Sequence, residues 1–122
     1  MADDTSEIAK EFSFEAAHRL PNVAKDHKCS RLHGHSFRVI IHVCGPVDPV
    51  YGWVVDYAEI SKAFVPLHNL LDHQYLNEIE GLENPTSEVL AAFILDRIHI
   101  PGAKVAKVTV KETCTSACTV YA

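Results

Sequence analysis

The sequence predicts an α+β fold in which two strands, two helices and two further strands follow in order, the strands forming a four-stranded antiparallel sheet. Three observations predict it. Apolar residues alternate with period two near both ends of the chain, they recur at helical spacing in the middle, and proline and glycine punctuate the joints.

The first strand is expected over Ile8–His18. Its even positions (Ile8, Lys10, Phe12, Phe14, Ala16, His18) make one face, while the odd ones, from Glu7 to Ala17, are mostly polar or small. The second strand is expected over His33–Val43, where His33, His35, Phe37, Val39, Ile41 and Val43 share a largely apolar face. Gly45, Pro46, Asp48, Pro49 and Gly52 then break regular structure. Asp56 can cap a helix with Glu59 three residues on, and Tyr57, Ile60, Phe64, Leu67 and Leu71 carry it for about four turns. Pro66 inside that stretch predicts a kink or a division. Asn84 and Pro85 read as the start of a second helix running from Thr86 to about Ile98, which Pro101 and Gly102 end. Alternation returns over Lys104–Glu112, with Ala106, Val108, Val110 and Glu112 on one face and Val105, Lys107, Thr109 and Lys111 on the other. A short last strand is expected over Cys118–Tyr121. An open sheet leaves two edges, and pairing them between subunits predicts an oligomer.

Residues 1–122 are read as one domain, with residues 1–6 a flexible acidic extension. A hydrophobic share of 48% with 22% charged residues is that of a globular chain, which argues against disorder. The net charge of −5 and the lack of any dense run of Lys or Arg argue against a nucleic-acid partner. Neither an apolar leader nor a membrane-length stretch is present, so a cytoplasmic location without a membrane partner is expected. There Cys29, Cys44, Cys114 and Cys118 would be thiols. Lys25, His27, Lys28, Arg31 and Arg38 gather around the histidines and suggest a local positive pocket within an acidic chain.

His33 and His35 lie two apart on one strand, so both rings leave the same face, and His18 has the apolar parity of the neighbouring strand. Three neutral imidazoles with an open fourth position make a catalytic rather than a structural zinc arrangement. The competing reading, three separately hydrogen-bonded core histidines, requires several unusual burials on one face and is the weaker one. Cys29 sits in a basic loop four residues before His33, a setting that suits a thiolate base. A fourth zinc ligand is the second reading of Cys29, since it would close the site. Asp72 and His73 end the first predicted helix, where a carboxylate can raise a histidine's basicity. Glu112 shares the parity of Val108 and Val110, so its carboxylate is expected to face an interior or a pocket and to need N–H donors there.

Five ordered motifs carry a resemblance. Phe14-Glu15-Ala16-Ala17-His18, Cys29 to His35 as C-x-x-x-H-G-H, Leu71-Asp72-His73, Asn84-Pro85-Thr86-Ser87-Glu88 and Lys111-Glu112-Thr113 together resemble the 6-pyruvoyl-tetrahydropterin synthase family, over nearly the whole chain. The three residues between Cys29 and His33 look like its bacterial carboxy-forming branch, which serves queuosine biosynthesis. The resemblance implies the tunnelling fold: two helices on one side of the sheet, trimers closed into a barrel, and two trimers stacked as a homohexamer with sites between subunits. It implies Zn2+ on His18, His33 and His35, Cys29 as proton acceptor with Asp72 and His73 as relay partners, and Glu112 as the anchor of a pterin ring. Thr86, Ser87 and Glu88 would line the substrate pocket from a neighbouring subunit. The implied reaction converts 7,8-dihydroneopterin triphosphate to 6-carboxy-5,6,7,8-tetrahydropterin, releasing triphosphate and acetaldehyde. The alternatives are pyruvoyl-tetrahydropterin synthase activity and a non-catalytic metal-binding protein.

Overall fold

The computed structural model describes residues 5–122. Strands β1 (Thr5–His18) and β2 (His33–Pro46) pair antiparallel in unbroken register, from Thr5 opposite Pro46 to His18 opposite His33. Hydrophobic alternation sets that register: with Phe14 opposite Phe37 and Phe12 opposite Val39, a slip of one residue would turn an apolar row to solvent. Thr5 and Ser6, expected in the flexible extension, instead belong to β1; residues 1–4 of that extension lie outside the described residues.

Helix α1 (Tyr57–Leu71) is capped by Asp56, whose carboxylate accepts the Ala58 N–H at 2.9 Å, and it buries Ile60, Phe64, Leu67 and Leu71. It runs through Pro66 undivided. Pro66 and Lys62, whose carbonyl loses its usual partner, are both exposed, so water can replace the missing bond. A two-residue strand β3 (Gln74–Tyr75) then pairs parallel with Ala16 and Ala17 of β1. The sheet therefore has five strands among the described residues, ordered β3-β1-β2-β4-β5, and is not wholly antiparallel. Two residues are too few to show a period, which is why four strands were expected.

Helix α2 (Ser87–Arg97) starts one residue later than expected: Thr86 is its cap, its hydroxyl accepting the Val89 N–H at 3.1 Å, and Pro85 lies buried ahead of the helix. Strands β4 (Lys104–Thr113) and β5 (Ser116–Tyr121) complete the sheet. His42 pairs with Lys107 but Val43 pairs with Val105, so Ala106 is the extra residue of a bulge. Strict alternation breaks there, and Val105 packs against the core rather than facing outward. Residues of α1 and α2 share one apolar cluster with Phe14, Phe37, Val39, Ile41, Val108 and Val110, so both helices cover the same face of the sheet. Among the described residues no helix is long and apolar enough to cross a membrane.

Candidate active site

The last residues of β1 and the first of β2 carry the histidines. His18 is directly opposite His33, and His35 is opposite Ala16, so all three rings leave the helix-covered face. Ring centroids lie 4.6, 5.0 and 4.9 Å apart, and the rings of His18 and His35 stand edge-on against Phe37, which stacks on Phe14. The histidines are thus the polar end of a core column. Gly34 lies between the two β2 histidines, where an added Cβ would come 3.2 Å from the Ala16 carbonyl, so the close approach of the strands favours glycine.

Hydrogen bonds set the tautomers. The Nδ1 of His18 is 2.9 Å from the Pro85 carbonyl, which can only accept, so Nδ1 carries the proton and Nε2 a lone pair. His33 repeats this with the Arg31 carbonyl at 2.7 Å. The Nε2 of His18 is buried and finds no partner among the described residues. A separately satisfied core histidine would have paired both nitrogens, so this orphan fits a ligand better than a packing residue. The ligating atoms of His18, His33 and His35 all lie within 4.8 Å of one another, and the group can hold a metal ion. Burial lowers the pKa of His18 and of His35, which keeps both rings neutral and able to ligate near neutral pH.

Glu112 faces this cluster, as its parity predicted: its Oε2 is 4.0 Å from His35 Nε2, and its charge opposes the lowering of the His18 and His35 pKa values. Cys29 occupies a 3-10 turn, Lys28–Ser30, strapped to the end of β1 by the Leu20 N–H on its carbonyl at 2.8 Å. Its sulfur is not in the 4.8 Å group, so the single chain does not make it a fourth ligand. Lys25, His27, Lys28 and Arg31 are exposed in this loop. Arg38 is not with them. It has the opposite parity to His35 and Phe37 and pairs with Ser13 and Lys111, so it faces away from the histidines.

Asp72 and His73 form a second centre at the corner between α1 and β3. The Nδ1 of His73 is 2.8 Å from Asp72 Oδ2, while Asp72 Oδ1 accepts the Glu15 N–H at 2.9 Å. The Glu15 N–H, then His73, hold the Asp72 carboxyl below its usual range, and Asp72 pushes the His73 pKa up. His73 borders an open pocket of about 490 Å3 together with Glu15, Ala17, Gly34, His35 and Ser36. Thr86 caps α2, and Ser87 and Glu88 form its first turn. Sequence reasoning gave Arg31 only a charge near the histidines, and gave Pro85 and Glu15 no role as partners of the site. The first two act through carbonyls, which leave no trace in side-chain pattern, and Glu15 read as ordinary polar alternation.

Comparison with known proteins agrees with this geometry. Residues 7–122 match the family model described as 6-pyruvoyl tetrahydropterin synthase. The chain is 48% identical to the 6-carboxy-5,6,7,8-tetrahydropterin synthase of Synechocystis sp., covering 90% of this chain and 88% of that one. It is 32% identical to the Bacillus subtilis enzyme of the same name, with coverage of 92% and 82%. The Caenorhabditis elegans 6-pyruvoyl tetrahydropterin synthase structure superposes with a TM-score of 0.86 at 27% identity, over 97% of this chain and 96% of that one. With its fold, its histidine cluster and these matches in agreement, the chain belongs to the 6-pyruvoyl tetrahydropterin synthase family.

Proposed function

We propose that this chain is a zinc-dependent carbon-carbon lyase that converts 7,8-dihydroneopterin triphosphate and one water to 6-carboxy-5,6,7,8-tetrahydropterin, releasing triphosphate and acetaldehyde, in cytoplasmic queuosine biosynthesis. The observation that carries it is the orphaned Nε2 of His18 beside His33 and His35, in a chain 48% identical to a relative named for the carboxy-forming activity. The carboxy-forming reading is preferred to the pyruvoyl-forming one because the similarity to the Synechocystis carboxy-forming relative is higher, 48% against 32% for a pyruvoyl-forming relative from Drosophila melanogaster.

His18, His33 and His35 would hold the ion, and a bound divalent ion supplies Lewis-acid chemistry that makes proton removal from a polarised hydroxyl feasible near neutral pH. Cys29 takes the proton, and His73, kept basic by Asp72, moves protons at its free Nε2. Glu112 lies near the imidazoles with acceptor capacity to spare, which suits the N–H edge of a pterin ring. Lys25, Lys28 and Arg31 supply positive charge for the triphosphate. The edge of β5 and the length of β1 that β3 leaves unpaired favour a homohexamer of two barrel trimers, with Thr86, Ser87 and Glu88 reaching a neighbour's pocket.

Metal analysis and product analysis test this together. The purified protein is expected to carry zinc stoichiometrically and to release acetaldehyde from dihydroneopterin triphosphate. Cys29→Ala should lose about 10²–10⁴-fold in turnover with the metal retained. Full activity in that variant would remove Cys29 from the chemistry, a metal-loaded parent without turnover would leave a non-catalytic metal-binding protein as the better reading, and a pyruvoyl product without acetaldehyde would favour the sister activity.

A further inference from the structure

The corner that carries His73 is built against one residue of β1. The Glu15 N–H donates to Asp72 Oδ1 at 2.9 Å, and the Glu15 carbonyl accepts the His73 N–H. His73 has φ of 58°, a left-handed backbone that a residue with a Cβ keeps only when its surroundings hold it there. The two main-chain bonds to Glu15 are that hold.

Glu15 borders the same pocket as His73. Ser36, directly opposite on β2, donates its hydroxyl to Glu15 Oε1 at 2.7 Å, which ties the carboxylate in place. Four ionisable groups border the pocket: Glu15 from β1, His35 from β2, His73 from the corner and Tyr75 from β3. Asp72 is bonded to His73 from the same corner, and His68 of α1 acts on Asp72. The charges of Asp72 and of Glu15 both favour a protonated His73. An ordinary cross-strand pair between Glu15 and Ser36 would stabilise the sheet locally and be indifferent to His73.

We propose that Glu15 is a positioning residue for His73: its main chain clamps the Asp72–His73 corner in its left-handed turn, and its carboxylate, fixed by Ser36, holds the imidazole at the pocket as a proton donor. This rests on the reading of His73 as a proton-transfer group.

Glu15→Gln keeps the main-chain bonds and an acceptor for Ser36 but removes the charge, and Ser36→Ala releases the carboxylate. The His73 titration midpoint, followed by NMR of the imidazole protons in the full chain, is expected to fall by about 0.3–0.5 pH units in Glu15→Gln and by less in Ser36→Ala. The alkaline limb of the kcat profile should move down with it, and kcat should fall about threefold to tenfold with KM little changed and metal content unaltered. An unmoved midpoint in Glu15→Gln, with His73→Ala inactive, would overturn the proposal alone. Normal turnover in His73→Ala would overturn the reading of His73 on which it rests, and the proposal with it.

Discussion

His18 lies on the helix-covered face of the sheet and His73 at a corner beside its open face, and the two are pushed in opposite directions. His18 is 1% exposed, and loss of water lowers its pKa. The His73 side chain is 77% exposed and bonded to Asp72, which raises its pKa. Each has its Nδ1 occupied, but by different partners: the neutral Pro85 carbonyl in one case, a carboxylate in the other. One residue type is thus biased toward the neutral form in one place and toward the protonated form in the other, burial outweighing the Pro85 carbonyl in the first and the Asp72 carboxylate deciding the second.

Removing one histidine from each region is the largest test of that contrast. His18→Ala should abolish metal binding, measured as metal per chain, and should cost about 2 kcal/mol in urea unfolding of the metal-free protein, because the ring fills core space beside Phe37. His73→Ala should leave metal content unchanged; equal metal loss in both variants would merge the two regions into one.

A pH series on the metal-free protein sharpens the contrast further. The pKa values of His18 and His35 lie below the ordinary histidine value of 6.5 in the folded chain, so the unfolded chain binds more protons as the pH falls through 6.5. Their contribution to stability is therefore complete above pH 6.5 and is lost in more acid solution. His73 has the opposite sign: its contribution is present below 6.5 and fades as the pH rises through its higher folded value. Because His73 is exposed, the inner pair should dominate, and urea midpoints should fall from pH 7.5 to pH 5.5. In His18→Ala that fall should shrink.

The smallest expected effect is at the corner itself. Asparagine tolerates the left-handed backbone that His73 adopts, so His73→Asn should keep the melting temperature within about 2 °C of the parent while turnover is lost. A clear drop in melting temperature would mean that the imidazole holds the corner, rather than the two bonds to Glu15.

Much of this is legible in the sequence. Period-two alternation predicted both long strands and put His18, His33, His35 and Glu112 on the covered face, where the structure has them. Helical spacing and capping residues predicted α1 closely and α2 to within a residue or two at each end. Two elements were not legible. β3 is too short to have a period, and the bulge at Ala106 inserts one residue into a pattern that reads as unbroken alternation. Arg38 shows the limit of proximity in sequence: three residues from His35, it has the opposite strand parity and faces away.

By itself the sequence determined which residues are apolar at which period, and so which faces are covered and which side chains can meet there, because side-chain direction in a strand or helix is a local property of the backbone. The tertiary structure alone decided what those side chains bond to. The Pro85 and Arg31 carbonyls, the Glu15 amide and the left-handed turn at His73 are made of backbone atoms that every residue has, and only the packing of distant segments selects which of them reach the site.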